Sequence, residues 1–125
     1  MARILVIDDD AFFRSMVRAA LEGAGHGVDE AADGKAGTEA FRKGTYDLVI
    51  VDMYMPVQDG IDTIFEMDAA AKGVSVIAVT GGHSMGKETL KMAGAAGADL
   101  TLEKEFTPEE LVSAVNGLLA KRAKR

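Results

Sequence analysis

Short runs of apolar residues recur along the chain at intervals that suit buried strands. They are ILVI (residues 4–7), DLVIVD (47–52), SVIAVT (75–80) and LTL (100–102). The first three are continuous rather than alternating, which is typical of parallel strands that are buried on both faces. A weaker candidate, GVDEAAD (27–33), contains few apolar residues. We expect this segment to be a strand at an edge of the sheet.

Helical patterns fill the intervals between these runs. The spacing of apolar residues predicts helices over residues 11–23, 34–43, 60–72 and 85–96. A last helix has the clearest start signals, because Thr107 is a favoured N-cap, Pro108 suits the first helical position and Glu110 completes a capping box. Strands that alternate with helices predict an α/β fold, with a parallel sheet, helices on both faces and right-handed crossovers.

The composition of the chain limits the kinds of protein that it can be. Its 125 residues and 48% hydrophobic fraction predict one globular domain over residues 1–125. The formal net charge of -6 disfavours direct binding to nucleic acid or to an anionic membrane. The lack of cysteine excludes disulfides and thiolate sites. No apolar stretch approaches the ~20 residues of a membrane span, and no signal-peptide pattern is present, so we expect a cytoplasmic protein.

Polar side chains stand at the carboxyl ends of four of the five predicted strands. Asp8 and Asp9 follow the first strand, Asp52 ends the third, Thr80 ends the fourth and Lys104 follows the fifth. In an open α/β sheet the carboxyl ends of the strands share the edge at which ligands bind. We therefore expect three carboxylates, a hydroxyl and an ammonium group to meet at this edge.

The acidic turn after the first strand selects among possible ligands. A phosphate-binding turn at this place normally uses glycines and a helix N-terminus. Three adjacent acids at residues 8–10 would instead repel a free phosphate. Asp10 suits the N-cap of the following helix better than a ligand position. Oxygen ligands favour a hard divalent cation, so we predict an Mg²⁺ site that accepts a phosphoryl group only when the metal is present.

The strand-end motifs of the chain resemble those of a known family. ILVIDDD, DLVIVDMYMP followed by DG, VIAVTGG, GAD and LEKEF occur in this order and span nearly the whole chain. They are similar to the motifs of the response-regulator receiver domain of two-component signalling, in its single-domain, chemotaxis-like form. The resemblance implies a flavodoxin-like fold with five parallel strands in the order 2-1-3-4-5. It also implies a protein that catalyses only its own phosphorylation and slow dephosphorylation.

The same resemblance implies a role for each residue at the carboxyl edge. Asp52 would accept a phosphoryl group from a phosphohistidine on a sensor histidine kinase or phosphotransfer protein. Lys104 would pair with the phosphoryl oxygens, and the Thr80 hydroxyl would turn toward them. The switch would change the binding of a downstream protein target. The groups that would hold Mg²⁺ are the side chains of Asp8, Asp9 and Asp52 and the backbone carbonyl of Tyr54.

Two departures from the usual family pattern leave alternatives open. Glu105 stands where the family usually has proline, and Thr101 stands where it often has an aromatic residue. A degenerate receiver that binds partners without being phosphorylated is therefore one alternative. A second alternative is a phosphatase of the haloacid dehalogenase type, which also uses a strand-end aspartate nucleophile. Such enzymes carry a second acid two residues later, and Tyr54 at that position argues against this class.

Overall fold

The apolar runs form the strands of one parallel sheet. The computed structural model describes residues 2–53, 59–81 and 87–123. Its strands are β1 (Arg3–Ile7), β2 (Gly27–Ala31), β3 (Leu48–Asp52), β4 (Ser75–Thr80) and β5 (Leu100–Glu103). Its α-helices are α1 (Ala11–Gly23), α2 (Gly34–Lys43), α3 (Gly60–Met67), α4 (Lys87–Ala96) and α5 (Pro108–Ala123). The strands are parallel and lie in the order β2-β1-β3-β4-β5, which confirms the predicted fold and the edge position of β2.

Both faces of the sheet are buried by helices. One apolar cluster lies on the face that α1 and α5 cover, and the other lies on the face that α2, α3 and α4 cover. Ile4 and Val6 belong to the first cluster, whereas Leu5 and Ile7 belong to the second. Consecutive side chains of a strand point to opposite faces, so β1 needs an apolar residue at each of its buried positions, Ile4 to Ile7. This requirement explains why its sequence is continuous rather than alternating.

Side-chain caps begin the first and last helices where the sequence predicts them. The Asp10 carboxylate accepts hydrogen bonds from the backbone N–H groups of Phe12 and Phe13, at 2.9 and 3.2 Å. The Thr107 hydroxyl accepts from the N–H of Glu110, and the Glu110 carboxylate accepts from the N–H of Thr107, both at 3.1 Å. Asp10 is therefore an N-cap, and Thr107 and Glu110 form a capping box.

The third helix is shorter than predicted. The apolar spacing predicts a helix over residues 60–72, but α3 ends at Met67 because Asp68 has a left-handed backbone with φ of 47°. A right-handed helix cannot continue through that conformation, and a 3₁₀ turn follows at Ala69–Lys72. The first two residues of the helix predicted over 85–96 lie outside the described residues. Within the described ranges, none of the helices has the length and apolar character needed to cross a membrane.

Candidate functional site

The chain changes the direction in which it adds strands between β1 and β3. It first adds β2 on one side of β1 and then β3 on the other. The carboxyl ends of β1 and β3 therefore border a topological switch point, where α/β sheets bind ligands. Ile7 of β1 pairs with Val51 of β3, and Asp8 and Asp52 are the residues that follow this pair. The adjacent strands thus deliver their acids side by side.

Three carboxylates meet at this switch point. Asp8, Asp9 and Asp52 each offer one carboxylate oxygen, and these oxygens all lie within 4.8 Å of one another. Asp8 is 1% exposed and Asp52 is 4% exposed, whereas Asp9 is exposed. Like charges at such distances repel, and the repulsion is stronger where water is excluded. We call these residues the acidic cluster; its all-oxygen set of donors could bind a hard metal ion.

The carboxylate of Asp8 has one oxygen that is satisfied and one that is poorly satisfied. Its Oδ1 accepts a hydrogen bond of 2.8 Å from the backbone N–H of Asp10. Its Oδ2 is buried and accepts no well-directed hydrogen bond within the described residues, although the Lys104 ammonium lies 3.0 Å away. Burial raises the pKa of Asp8 above its ordinary 3.8, and the contacts from Asp10 and Lys104 offset burial only in part. A bound cation would satisfy Oδ2, so these residues fit a metal ion.

Lys104 brings a positive charge to the acidic cluster. Its Nζ lies 3.0 Å from Asp8 Oδ2 and 3.6 Å from Asp52 Oδ2. Burial acts to lower the pKa of Lys104, but the hydrogen bond of 3.4 Å to Asp8 Oδ1 and the charges of Asp52 and Asp8 outweigh it and raise the pKa. The lysine is therefore a cation at neutral pH, placed where it can neutralise negative charge next to Asp52.

Two neighbouring residues of α1 contact the site, although no sequence motif assigns a role to either. The Phe13 ring lies under the Lys104 ammonium, with 4.8 Å between Nζ and the ring centroid. The Arg14 guanidinium donates a hydrogen bond to the backbone carbonyl of Asp8. Helical periodicity places Phe13 on the buried face and Arg14 beside it. Periodicity alone does not identify the partner of either side chain.

The beginning of α3 packs directly on the strand end that carries Asp52. The Gly60 N–H donates a hydrogen bond of 3.1 Å to the carbonyl of Met53. A Cβ added at Gly60 would lie 2.6 Å from the Met53 Cα and would collide with the carbonyl oxygen of Asp52. Asp59 caps the helix by accepting a hydrogen bond of 2.9 Å from the N–H of Asp62. Glycine at position 60 therefore allows the close approach that supports the Asp52 backbone.

Thr80 and Tyr54 are the two remaining predicted site residues, and only Thr80 belongs to the described part of the chain. Thr80 is buried at the carboxyl end of β4, and its carbonyl accepts a hydrogen bond of 2.8 Å from the N–H of Lys104. Thr80 thus lies at the same edge as the acidic cluster, and the role of its hydroxyl stays a prediction. Tyr54, whose backbone carbonyl is the predicted fourth protein ligand, lies outside the described residues.

The doubly wound sheet, with acids and a lysine at its switch point, has the arrangement that the strand-end motifs predict. Residues 4–116 match the family described as "Response regulator receiver domain". The chain belongs to this family. Receiver domains are modules of two-component signalling rather than classical enzymes, and this membership confirms the resemblance inferred from the motifs.

The relatives include short proteins and longer regulators. The chain is 33% identical over 118 residues to the chemotaxis protein CheY of Halobacterium salinarum, covering 94% of this chain and 96% of that protein. It is 36% identical over 121 residues to the transcriptional regulatory protein ResD of Bacillus subtilis, covering 94% of this chain and 48% of ResD, or about half its length. The crystal structure of a CheY-like receiver domain protein from Methanospirillum hungatei JF-1 matches with a TM-score of 0.93 at 26% identity, covering 99% of this chain and 98% of that one. The chain is therefore similar to receivers of the single-domain, chemotaxis-like type.

Proposed function

We propose that residues 1–125 act as one phosphorelay receiver, which takes a phosphoryl group from a phosphohistidine onto Asp52. The observation that carries this proposal is the meeting of Asp52 with Asp8, Asp9 and the Lys104 ammonium at one edge of the sheet. A carboxylate can attack an anionic phosphoryl group only where cations offset the repulsion between them. This edge supplies a lysine and the oxygen ligands for a metal ion.

The proposed transfer forms one bond and breaks one bond. A carboxylate oxygen of Asp52 attacks the phosphorus while the P–N bond to the donor imidazole breaks. The imidazole nitrogen keeps the electron pair of the broken bond and takes a proton from water. The product is an acyl phosphate on Asp52. Its slow hydrolysis returns the carboxylate and inorganic phosphate, so the chain catalyses only its own phosphorylation and dephosphorylation.

Mg²⁺ is the cofactor that we propose for this transfer. The side chains of Asp8, Asp9 and Asp52 and the backbone carbonyl of Tyr54 would hold it. When bound, the metal would neutralise charge on the phosphoryl oxygens. Two of the three carboxylates are buried, and their mutual repulsion supports a site that needs a cation.

The proposed output is a change in partner binding. Phosphorylation adds about 1.5 to 2 negative charges and several acceptor oxygens. We propose that the Thr80 hydroxyl and the Lys104 ammonium turn toward these oxygens and shift the balance between two conformations. A sensor histidine kinase or phosphotransfer protein would be the donor, and another protein would be the target. We place this exchange in the cytoplasm, without nucleic acid or membrane as a partner of this domain.

Phosphorylation from a small-molecule donor tests the proposal. The chain is incubated with acetyl phosphate and Mg²⁺, and its intact mass is measured over time. We expect one added phosphoryl group on the wild type, none on Asp52→Asn and a normal yield on Asp68→Asn. Asp68 is a suitable control because it is an exposed aspartate that tolerates asparagine in its left-handed conformation.

Each other result would contradict the proposal in its own way. An unchanged wild-type mass would favour a receiver that binds partners without phosphorylation. An undiminished yield on Asp52→Asn would place the phosphoryl group on another residue. Equal yields with Mg²⁺ and with EDTA would show that phosphorylation does not require a metal ion.

A further inference from the structure

A lysine side chain must be restrained if its ammonium is to stay beside Asp52. Within the described residues, the Lys104 Nζ has two kinds of attractive contact. The first kind is ionic, with Asp8 Oδ2 at 3.0 Å and Asp52 Oδ2 at 3.6 Å. The second is with the Phe13 ring, whose centroid lies 4.8 Å away. The face of an aromatic ring carries negative partial charge and attracts an ammonium within about 6 Å.

The two kinds of contact respond differently to a metal ion. Asp8 and Asp52 belong to the acidic cluster, so a cation bound there competes with Lys104 for the same carboxylates. The ionic attraction of Asp8 and Asp52 for the Lys104 ammonium would therefore weaken when a metal ion binds. The Phe13 ring offers no oxygen ligand to a hard cation, and its attraction for the ammonium does not depend on whether the cluster is occupied.

The ring of Phe13 is itself held in a fixed position. Phe13 is 6% exposed and belongs to the apolar cluster on the α1 and α5 face. The Phe106 ring packs edge-on against it, with 5.8 Å between centroids and 61° between planes. Because Phe106 follows Lys104 by two residues, this aromatic pair also attaches the loop between β5 and α5 to α1. Asp10 caps the same helix, which fixes the ring relative to the acidic turn.

We propose that Phe13 is a positioning residue for phosphoryl transfer, whose ring face keeps the Lys104 ammonium beside Asp52 when a metal ion occupies the acidic cluster. The inference rests on the proposed function of Asp52. Phe13 contacts neither the donor nor the phosphorus and acts only through the lysine.

Progressive fluorination of the ring tests the electrostatic part of this role. Phenylalanines that carry increasing numbers of fluorine atoms are placed at position 13, which withdraws charge from the ring face with little change in shape. The rate of phosphorylation by acetyl phosphate and Mg²⁺ should fall step by step, by about three- to tenfold in total. The Mg²⁺ dissociation constant, measured by calorimetry, should stay unchanged. If the wild type is phosphorylated but the rate does not depend on fluorination, the role of Phe13 is overturned and the proposed function of Asp52 is not.

Proton NMR measures the position of Lys104 independently of activity, through the chemical shifts of its side chain. The Hε protons of Lys104 should be shifted upfield by the ring current of Phe13, both with and without Mg²⁺, and Phe13→Leu should abolish this shift. Val17→Ala is the packing control, since Val17 lies one turn further along α1 in the same apolar cluster. We expect it to destabilise the fold while keeping the upfield shift. Loss of the shift in the wild type on adding Mg²⁺ would overturn the inference, whereas a wild type that accepts no phosphoryl group would overturn the proposed function.

Discussion

Arg14 donates a hydrogen bond from its guanidinium Nη1 to the backbone carbonyl oxygen of Asp8, with 2.6 Å between the two atoms. The Nε of the same guanidinium lies 3.0 Å from a carboxylate oxygen of Glu30 on β2. One partly buried arginine therefore joins α1, β2 and the turn that carries Asp8 and Asp9. Hydrogen bonds from a charged donor are stronger than those between neutral groups, so this contact restrains the turn.

We predict that Arg14→Met weakens Mg²⁺ binding by about three- to tenfold, because the loss of one charged hydrogen bond loosens the acidic turn. Arg18→Met is the matched control. Arg18 also pairs with Glu30, at 3.1 Å, but its backbone hydrogen bond goes to the carbonyl of Val28. Titration calorimetry on both variants measures the Mg²⁺ dissociation constant. Equal weakening in the two variants would assign the effect to Glu30 pairing rather than to Asp8.

We predict that Mg²⁺ raises the melting temperature of the wild type at pH 7, because the metal relieves repulsion within the acidic cluster and binds only the folded chain. The increase should grow with Mg²⁺ concentration and should be smaller in Asp9→Asn, which removes one carboxylate. Glu39→Gln removes an exposed charge from α2 and should respond to Mg²⁺ as the wild type does. Melting curves recorded in EDTA and at several Mg²⁺ concentrations check this, and a melting temperature that does not respond to Mg²⁺ would contradict the metal site.

The pH dependence of the metal-free protein tests the environment of Asp8. Its pKa is raised in the folded chain, so the fold holds the Asp8 proton more tightly than the unfolded chain does. The resulting stability is complete below pH 3.8 and is lost as the pH rises through the raised pKa. We predict that Asp8→Asn removes this loss and melts at a higher temperature than the wild type in EDTA at pH 7. A lower melting temperature for Asp8→Asn under these conditions would show that the Lys104 ion pair outweighs burial.

The central strands could be predicted because burial on both faces demands continuous apolar runs. The same rule explains the weaker pattern of β2, which lies at an edge of the sheet. The meeting of Asp8, Asp9 and Asp52 could also be predicted, since parallel strands end at one edge and place their next residues together. These inferences need only the chain direction and the face that each residue occupies.

Contacts between side chains from distant elements could not be predicted in this way. Periodicity puts Phe13 on the buried face of α1, but its place under Lys104 depends on how α1 and β5 pack across the sheet. The end of α3 was missed for a different reason. Asp68 takes a left-handed backbone, which aspartate adopts more readily than most non-glycine residues, but a single aspartate within an apolar helical pattern does not predict it.

We predict that Gly60→Ala destabilises the fold by about 1 to 3 kcal/mol, because the added methyl group meets the backbone of Asp52 and Met53. Gly117→Ala is the control. Gly117 is an exposed position inside α5, and a Cβ there meets no described atom within 4 Å outside the local backbone. Alanine at position 117 should stabilise the helix by about 0.5 to 1 kcal/mol. Urea unfolding measures both free energies, and a neutral Gly60→Ala would contradict the close approach of α3 to β3.

The hydroxyl of Tyr46 donates a hydrogen bond of 2.7 Å to the Asp29 carboxylate. Burial, together with this hydrogen bond and the charge of Asp29, raises the pKa of Tyr46 from 10.0 to about 12. The stability linked to this group is complete below pH 10.0 and is lost as the pH rises toward about 12. Absorbance titration of Tyr54→Phe, which leaves Tyr46 as the only tyrosine of the chain, should show ionisation well above pH 10.0. Tyr46→Phe should lower the free energy of unfolding at pH 7 by about 1 kcal/mol, and ionisation of Tyr46 near pH 10.0 in the folded protein would contradict the bond to Asp29.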